Sequence, residues 1–149
     1  MTEHHLNLSE LWETPGEHAG FLPGCVGLLD ARLMVPDVKL STHVALLGHP
    51  HSLKGGSMQN KVVTTLARAL KAHGIPSLRF NFRGVGASEG MYDAGLGESD
   101  DMLELVSQVR LAVPDSTFLF AGFSFGSFVA YRAAAQTPHK LLITVAPPV

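Results

Sequence analysis

Cysteine, long apolar runs and strong net charge are all scarce in this sequence, and each scarcity excludes a class of protein. The 149 residues include a single cysteine, Cys25, so an intrachain disulfide is excluded and nothing points to secretion. No apolar run approaches the ~20 residues of a membrane span. The polar N-terminus, MTEHHLNLSE, does not have the pattern of a signal peptide. We therefore expect a cytoplasmic protein that has no membrane partner.

The charge and composition narrow the class further. A formal net charge of −2 gives no reason to expect a nucleic acid or an anionic membrane surface as a partner. Hydrophobic residues make up 46% of the chain and charged residues 16%, which is typical of a globular chain that buries a core. At this length we predict one domain over residues 19–149, preceded by a polar segment over residues 1–18 whose first 17 residues are loose.

Strand and helix signals alternate along most of the chain. Two short strands joined by a Pro-Gly turn are predicted over residues 19–22 and 27–35. From residue 44 onward the order is strand, helix, strand, helix, strand, helix, strand, read from these segments: VALL, NKVVTTLARALKAHG, SLRFNF, GESDDMLELVSQVRLAV, STFLFAG, FGSFVAYRAAAQ and KLLITVAPPV. Gly74 is expected to end the first of these helices, and Ser99 is expected to cap the second. Such alternation predicts an α/β fold in which helices cover both faces of a mostly parallel sheet.

The pentapeptide Gly122-Phe123-Ser124-Phe125-Gly126 lies between a predicted strand and a predicted helix. The bare Gly-x-Ser-x-Gly pattern is weak, but a strand directly before it and a helix directly after it are typical of a nucleophile elbow. Gly122 and Gly126 are needed because a tight turn leaves no room for a Cβ. The sequence therefore predicts Ser124 as a nucleophile. The alternative is a Ser/Gly turn that serves only close packing of helix on strand.

The segment GHPHSLKGGSMQNK also follows a strand and precedes a helix. In a hydrolase this loop supplies a backbone N–H to the oxyanion hole, together with the N–H of Phe125. Pro50 has no N–H, so His51 is the expected donor. His49 and His51 are also spaced to bind a metal, but no Cys, Asp or Glu lies in the loop to complete a site. The Lys54-Gly55-Gly56-Ser57 run does not have P-loop spacing.

The segment NFRGVGASEG is a glycine-rich loop after a strand. Its Gly84-x-Gly86 pair resembles part of a dinucleotide-binding loop, but the third glycine falls at 90 and no helix follows directly. We expect the loop to pack beside the serine, with Arg83 held by Glu98 or Asp101. We predict neither a metal nor a cofactor for this protein.

Four motifs in this order resemble the α/β-hydrolase superfamily: GHPHSLKGGSMQNKVV, RFNFRGVGASEG, GESDD and AGFSFGSFVA. The likeness is to small bacterial predicted hydrolases near the dienelactone-hydrolase type, and it covers about residues 19–149. It implies that Ser124 attacks the carbonyl of a small ester or similar acyl substrate and forms an acyl-enzyme. It also implies that Phe125 N–H and the loop holding His49 and His51 bind the oxyanion.

The same resemblance implies a triad acid after a later strand and a histidine near the C-terminus. Relative to that pattern we expect this chain to be truncated, with two strands and their helices missing. His139 is expected at the opposite end of the sheet, whereas His49 and His51 lie at the correct end, and His51 is the candidate for a substitute base. The last strand, Leu141–Val145, would then be an apolar edge, which predicts either a homodimer through this edge, an aggregation-prone protein or the truncated product of a longer reading frame.

Two hypotheses follow from these motifs. One is a serine hydrolase that uses Ser124, which we favour as the assignment of the family. The other is a fragment or pseudoenzyme that lacks the acid and the histidine of the triad and acts, if at all, by association. For the measured activity of these 149 residues we favour this second hypothesis.

Overall fold

A mixed β-sheet forms the centre of the fold. The computed structural model describes residues 4–148. The start of the predicted loose segment, residues 1–3, and the last residue of the predicted domain, residue 149, lie outside the described residues. Within residues 4–148 the sheet has six strands: β1 (Gly16–Pro23), β2 (Leu28–Val35), β3 (His43–Gly48), β4 (Ser77–Phe80), β5 (Thr117–Phe123) and β6 (Leu141–Val145). Their order across the sheet is β1-β2-β4-β3-β5-β6.

The strand directions confirm the predicted α/β class. β2 is antiparallel to both β1 and β4, whereas β3 is parallel to β4 and to β5, and β5 is parallel to β6. Almost every residue of β3 and β5 is buried, as expected of parallel strands that are covered on both faces. Because parallel strands all point the same way, the loops that follow β3, β4 and β5 emerge at one edge of the sheet.

Helices lie on both faces of the sheet, as predicted. The described helices are α1 (Leu8–Leu11), α2 (Lys61–Ala72), α3 (Leu96–Ala112) and α4 (Phe125–Ala134). Val63 and Ala67 of α2 belong to one apolar cluster, with alternate residues of β3 and β5. α3 and α4 contribute to a second cluster, with the other residues of these strands. Among residues 4–148 no helix is both long and apolar enough to span a bilayer.

The N-terminal segment differs from its prediction. Three apolar side chains, Leu6, Leu8 and Trp12, are buried in the main core. The backbone of this segment pairs with Phe21, since Leu6 N–H donates to Phe21 O (3.0 Å) and Phe21 N–H donates to His4 O (2.7 Å). The expectation of a loose segment is therefore wrong for residues 4–17, because three apolar residues spaced along a polar stretch supply enough burial to fix it.

The start of α3 also differs from its prediction. The helix begins at Leu96, with Gly95 (φ +92°) as its N-cap, and Ser99 lies inside the first turns. The buried Glu98 carboxylate accepts the N–H groups of Gly95 and Asp93, both at 2.9 Å. Ser99 is therefore not the cap, because Glu98 already satisfies the free amides before the helix.

Candidate active site

Ser124 sits on a sharp corner between the end of β5 and the start of α4. Its backbone has φ +56° and ψ −121°, a conformation that residues with a side chain rarely adopt and that costs free energy. Its N–H donates to Val145 O at 2.8 Å, which ties the corner to the end of β6. The half-buried side chain makes no hydrogen bond with any described residue. The predicted strand, turn and helix at this position are confirmed.

Glycines make this corner sterically feasible. A Cβ added at Gly122 would collide with the Gly126 carbonyl, and a Cβ added at Gly126 would collide with the carbonyls of Gly48 and His49. The end of β3, the end of β5 and the first turn of α4 are therefore in backbone contact. This contact brings the loop after β3 next to the corner that carries Ser124.

Two backbone N–H groups, one in the corner and one in the loop after β3, have no hydrogen-bond partner among the described residues. Neither Phe125 N–H nor His51 N–H donates a hydrogen bond to any of residues 4–148. Phe125 opens α4, where the aligned peptide dipoles place partial positive charge. The two N–H groups named from the sequence are thus both free to donate to a developing negative charge.

His49 is enclosed at the end of β3 and is fully engaged. Its side chain is buried, its Nδ1–H donates to Pro50 O (2.7 Å), and its Nε2 accepts Phe82 N–H (2.9 Å). The ring stacks on Phe82 with centroids 3.9 Å apart. Burial lowers the pKa of His49 from 6.5 to about 4, so the ring is neutral at pH 7. Because both nitrogens bond to backbone groups, His49 holds the loop together and has no free nitrogen for a metal or a proton.

His51 is oriented by two neighbours. Its Nδ1 accepts Leu53 N–H at 3.2 Å, and its Nε2 lies 3.2 Å from Tyr92 Oη. A neutral ring that accepts at Nδ1 carries its proton on Nε2, so Nε2 is assigned as the donor to Tyr92. This arrangement leaves no free lone pair on the ring, which argues against the predicted role of His51 as a substitute base.

Arg83 is held by Asp101, one of its two predicted partners. Arg83 Nε donates to Asp101 Oδ2 (2.8 Å) and Nη2 donates to Asp101 Oδ1 (3.0 Å) and Gly97 O (3.0 Å). These bonds raise the pKa of Arg83. The pair fastens the glycine-rich loop to α3. This loop and residues 52–57 border a cavity of about 450 Å³ that Tyr92 also lines.

Three further points concern His139, a metal site and Tyr92. His139 lies at the opposite end of the sheet from Ser124, beside the first residues of β5, as expected. Among the described residues, no group of three His, Cys, Asp or Glu side chains is arranged to hold a metal ion. Tyr92 was not identified from the sequence. Its segment, SEGMYDAG, contains no pattern that links an aromatic residue to a loop some 40 positions away.

The strand order and the glycine-lined corner at Ser124 define an α/β protein with a sharp strand–turn–helix junction. A family model described as "alpha/beta hydrolase fold" matches residues 48–147, so the chain belongs to the α/β-hydrolase family.

Solved structures agree with this membership. An α/β serine hydrolase without a lid from Xanthomonas campestris is 47% identical, with a TM-score of 0.85 over 89% of this chain. An α/β serine hydrolase homologue from Coxiella burnetii is 40% identical, with a TM-score of 0.84 over 87% of this chain. The chain covers 62% of each of these two proteins.

A relative known by sequence shows the same difference in length. An uncharacterized protein of Rickettsia prowazekii (strain Madrid E) is 38% identical over 108 residues, which are 71% of this chain and 45% of the relative. The chain thus spans less than two thirds of the length of these relatives.

Proposed function

We propose that this chain is a serine hydrolase domain in which Ser124 attacks an ester or a similar acyl substrate. The observation that carries the proposal is the corner itself. A non-glycine residue is held at φ +56° between a buried strand and a helix, with its hydroxyl unbonded to any described residue. Strain of this kind is retained where it serves a purpose. The 47% identity to a serine hydrolase supports the same reaction class.

The chemistry follows from the groups around the corner. As Ser124 Oγ adds to the carbonyl carbon, the carbonyl electron pair moves onto oxygen and the Ser124 hydroxyl proton passes to solvent water. The oxyanion accepts hydrogen bonds from Phe125 N–H and His51 N–H. When the carbonyl re-forms, the leaving group departs with a proton and an acyl-enzyme remains, which water then hydrolyses. His49 and His51 have no free lone pair to take the Ser124 proton. We therefore expect slow turnover unless another group supplies a base, since binding and oxyanion stabilisation alone give only about 10³- to 10⁴-fold over water.

A fluorophosphonate probe tests this proposal, because it phosphonylates an activated serine irreversibly. We expect wild-type protein to be labelled slowly, because neither His49 nor His51 can take the Ser124 proton, and Ser124→Ala to remain unlabelled. Ser107→Ala is the matched control, since Ser107 is exposed on α3 and is expected to label at the wild-type rate. Absence of labelling on folded wild-type protein, or equal labelling of Ser124→Ala, would reject the proposal.

A second candidate function is association without efficient catalysis. The observation that favours it is the engagement of both nearby histidines in other bonds. We propose that this association occurs between two copies of the chain, through the outer edge of β6. The strand reads LLITV and carries no charge, so two copies meet there without repulsion.

A further inference from the structure

We propose that Tyr92 is a positioning residue, which holds the His51 loop in place through the Nε2 of His51. This inference rests on the proposed function, in which His51 N–H is an oxyanion donor. None of the motifs described above includes Tyr92. The first argument is the hydrogen bond between Tyr92 Oη and His51 Nε2, 3.2 Å long, which joins residues 41 positions apart.

This bond supports the tautomer of His51 that the bond from Leu53 N–H requires. With the proton on Nε2, Nδ1 is free to accept Leu53 N–H at 3.2 Å and so starts the short 3₁₀ helix Ser52–Lys54. His51 O in turn accepts Gly56 N–H at 2.9 Å. Removing the Tyr92 hydroxyl would take away the acceptor that favours this tautomer, and the protonated form at Nδ1 would break the bond from Leu53. The peptide of His51 is therefore fixed from both sides of the ring.

Packing supports the same role. The rings of His51, Tyr92 and Phe125 form a triangle, in which His51 is 5.3 Å from Tyr92 and 4.7 Å from Phe125, and Tyr92 and Phe125 are 5.9 Å apart between centroids. Each ring comes from a different segment: the loop after β3, the loop after β4, and the first turn of α4. The two residues proposed as oxyanion donors, His51 and Phe125, thus pack ring against ring, with Tyr92 against both.

Tyr92 is itself held by its own loop. The next residue, Asp93, donates its N–H to the buried Glu98 carboxylate (2.9 Å), and its own carboxylate accepts Gly97 N–H (2.9 Å). Ala94 and Gly95 follow with φ values of +55° and +92°, which turn the chain sharply into α3. These bonds fix the backbone on the C-terminal side of Tyr92, so the tyrosine ring acts as a firm support for His51.

The test compares Tyr92→Phe, which removes only the hydroxyl, with Tyr131→Phe, which changes an exposed tyrosine on α4 that is not part of this cluster. Two quantities are measured: the rate of fluorophosphonate labelling, and the His51 ring tautomer by long-range ¹H–¹⁵N NMR. Deleting an oxyanion donor costs about 10²- to 10³-fold, so displacing one is expected to slow labelling by about tenfold. In Tyr92→Phe the fraction of the Nε2–H tautomer is expected to fall and the Leu53 amide signal to shift, while Tyr131→Phe matches wild type in both measurements.

The outcomes separate this inference from the proposed function. If wild type is labelled and Tyr92→Phe labels equally fast, the inference is overturned and the proposed function stands. If wild type is not labelled, the proposed function fails, and the NMR data alone then test whether Tyr92 positions His51. An altered His51 tautomer would then support positioning by Tyr92, and an unchanged tautomer and Leu53 signal would overturn it.

Discussion

His49 and His51 are two positions apart in the chain, yet the fold gives them different environments. His49 is buried and bonds to the backbone at both ring nitrogens, whereas His51 is half-buried and bonds to one backbone N–H and one tyrosine. The difference arises because His49 follows the last residue of β3 and turns back over Phe82, while His51 begins the following loop. Two residues of one type therefore have different consequences for stability and for the site.

Acidification should destabilise the protein through His49. Burial holds the folded-state pKa at about 4, against an ordinary value of 6.5 in the unfolded chain. Between these pH values the unfolded state binds more protons than the folded state. The contribution of neutral His49 to the free energy of unfolding is therefore fully present above about pH 6.5 and is lost as the pH falls through about 4. The total is on the order of 3 kcal/mol. Urea unfolding of wild type at several pH values would measure this loss.

The matched variants for this experiment are His49→Gln and His139→Gln. His49→Gln is expected to flatten the pH dependence of the free energy of unfolding, and His139→Gln, in an exposed loop, is expected to keep the wild-type dependence. Identical pH dependence in wild type and His49→Gln would mean that the ring is not held neutral by burial.

At the level of residues, the sequence predicted those positions whose geometry is local. The corner at Ser124 could be read because glycines, strand and helix are adjacent in the chain. The hydrogen bond at His51 Nε2 could not be predicted, because its partner is Tyr92, which is distant in the sequence and is brought close only by the fold. The proposed roles of Ser124, Phe125 and His51 stay predictions until they are measured.

At the level of elements, the loop after β4 is fastened to α3 by a buried ion pair. Arg83 and Asp101 make two hydrogen bonds, and Asp101 Oδ1 also accepts Cys25 N–H at 2.9 Å. Asp101 is fully buried and the Arg83 side chain is 10% exposed. One carboxylate thus joins α3, the loop after β4 and the turn before β2.

Asp101→Asn tests the strength of this connection. Removing one member of a buried pair leaves the other charge uncompensated, which typically costs about 3 to 5 kcal/mol. We expect a loss of that size in the free energy of unfolding, measured with urea at neutral pH. Asp100→Asn is the control, because Asp100 is exposed one residue away and its interaction with the helix dipole is worth less than about 1 kcal/mol. A loss in Asp101→Asn no larger than in Asp100→Asn would contradict this account.

Element prediction from the sequence succeeded where one helix or strand carries its own pattern. The stripe of α3, made of Met102, Leu105, Val106 and Val109, is buried as expected. The cap of α3 was assigned wrongly, because Glu98 reaches back to amides that precede the helix. The N-terminal segment was also wrong, since the burial of Leu6, Leu8 and Trp12 depends on a core formed by residues far along the chain.

At the level of the whole molecule, one of the exposed apolar areas lies beside β6. Phe128, Tyr131 and Leu141 are 36%, 59% and 49% exposed, and β6 pairs with β5 on one side only within the described residues. An uncharged edge strand next to such side chains pairs readily with another strand. Two copies related by a two-fold axis would join their sheets there.

We therefore expect a dimer in solution, with twice the molar mass of one chain by light scattering. Thr144→Lys places a charge on the exposed edge of β6 and should yield a monomer. Leu111→Lys, at an 84% exposed position on α3, should remain dimeric. A wild-type protein that is monomeric at every concentration, or a dimer that Thr144→Lys leaves intact, would show that β6 is not the contact.

Mapping the fluorophosphonate adduct by mass spectrometry would test the central claim most directly, namely that Ser124 at the corner between β5 and α4 is the nucleophile. Trypsin cuts after Arg110 and Arg132 and releases residues 111–132, a peptide that contains Ser116, Ser124 and Ser127. Fragmentation of this peptide is predicted to place the adduct on Ser124 alone. An adduct on Ser116 or Ser127, or an unmodified peptide from folded and probe-treated protein, would contradict the account.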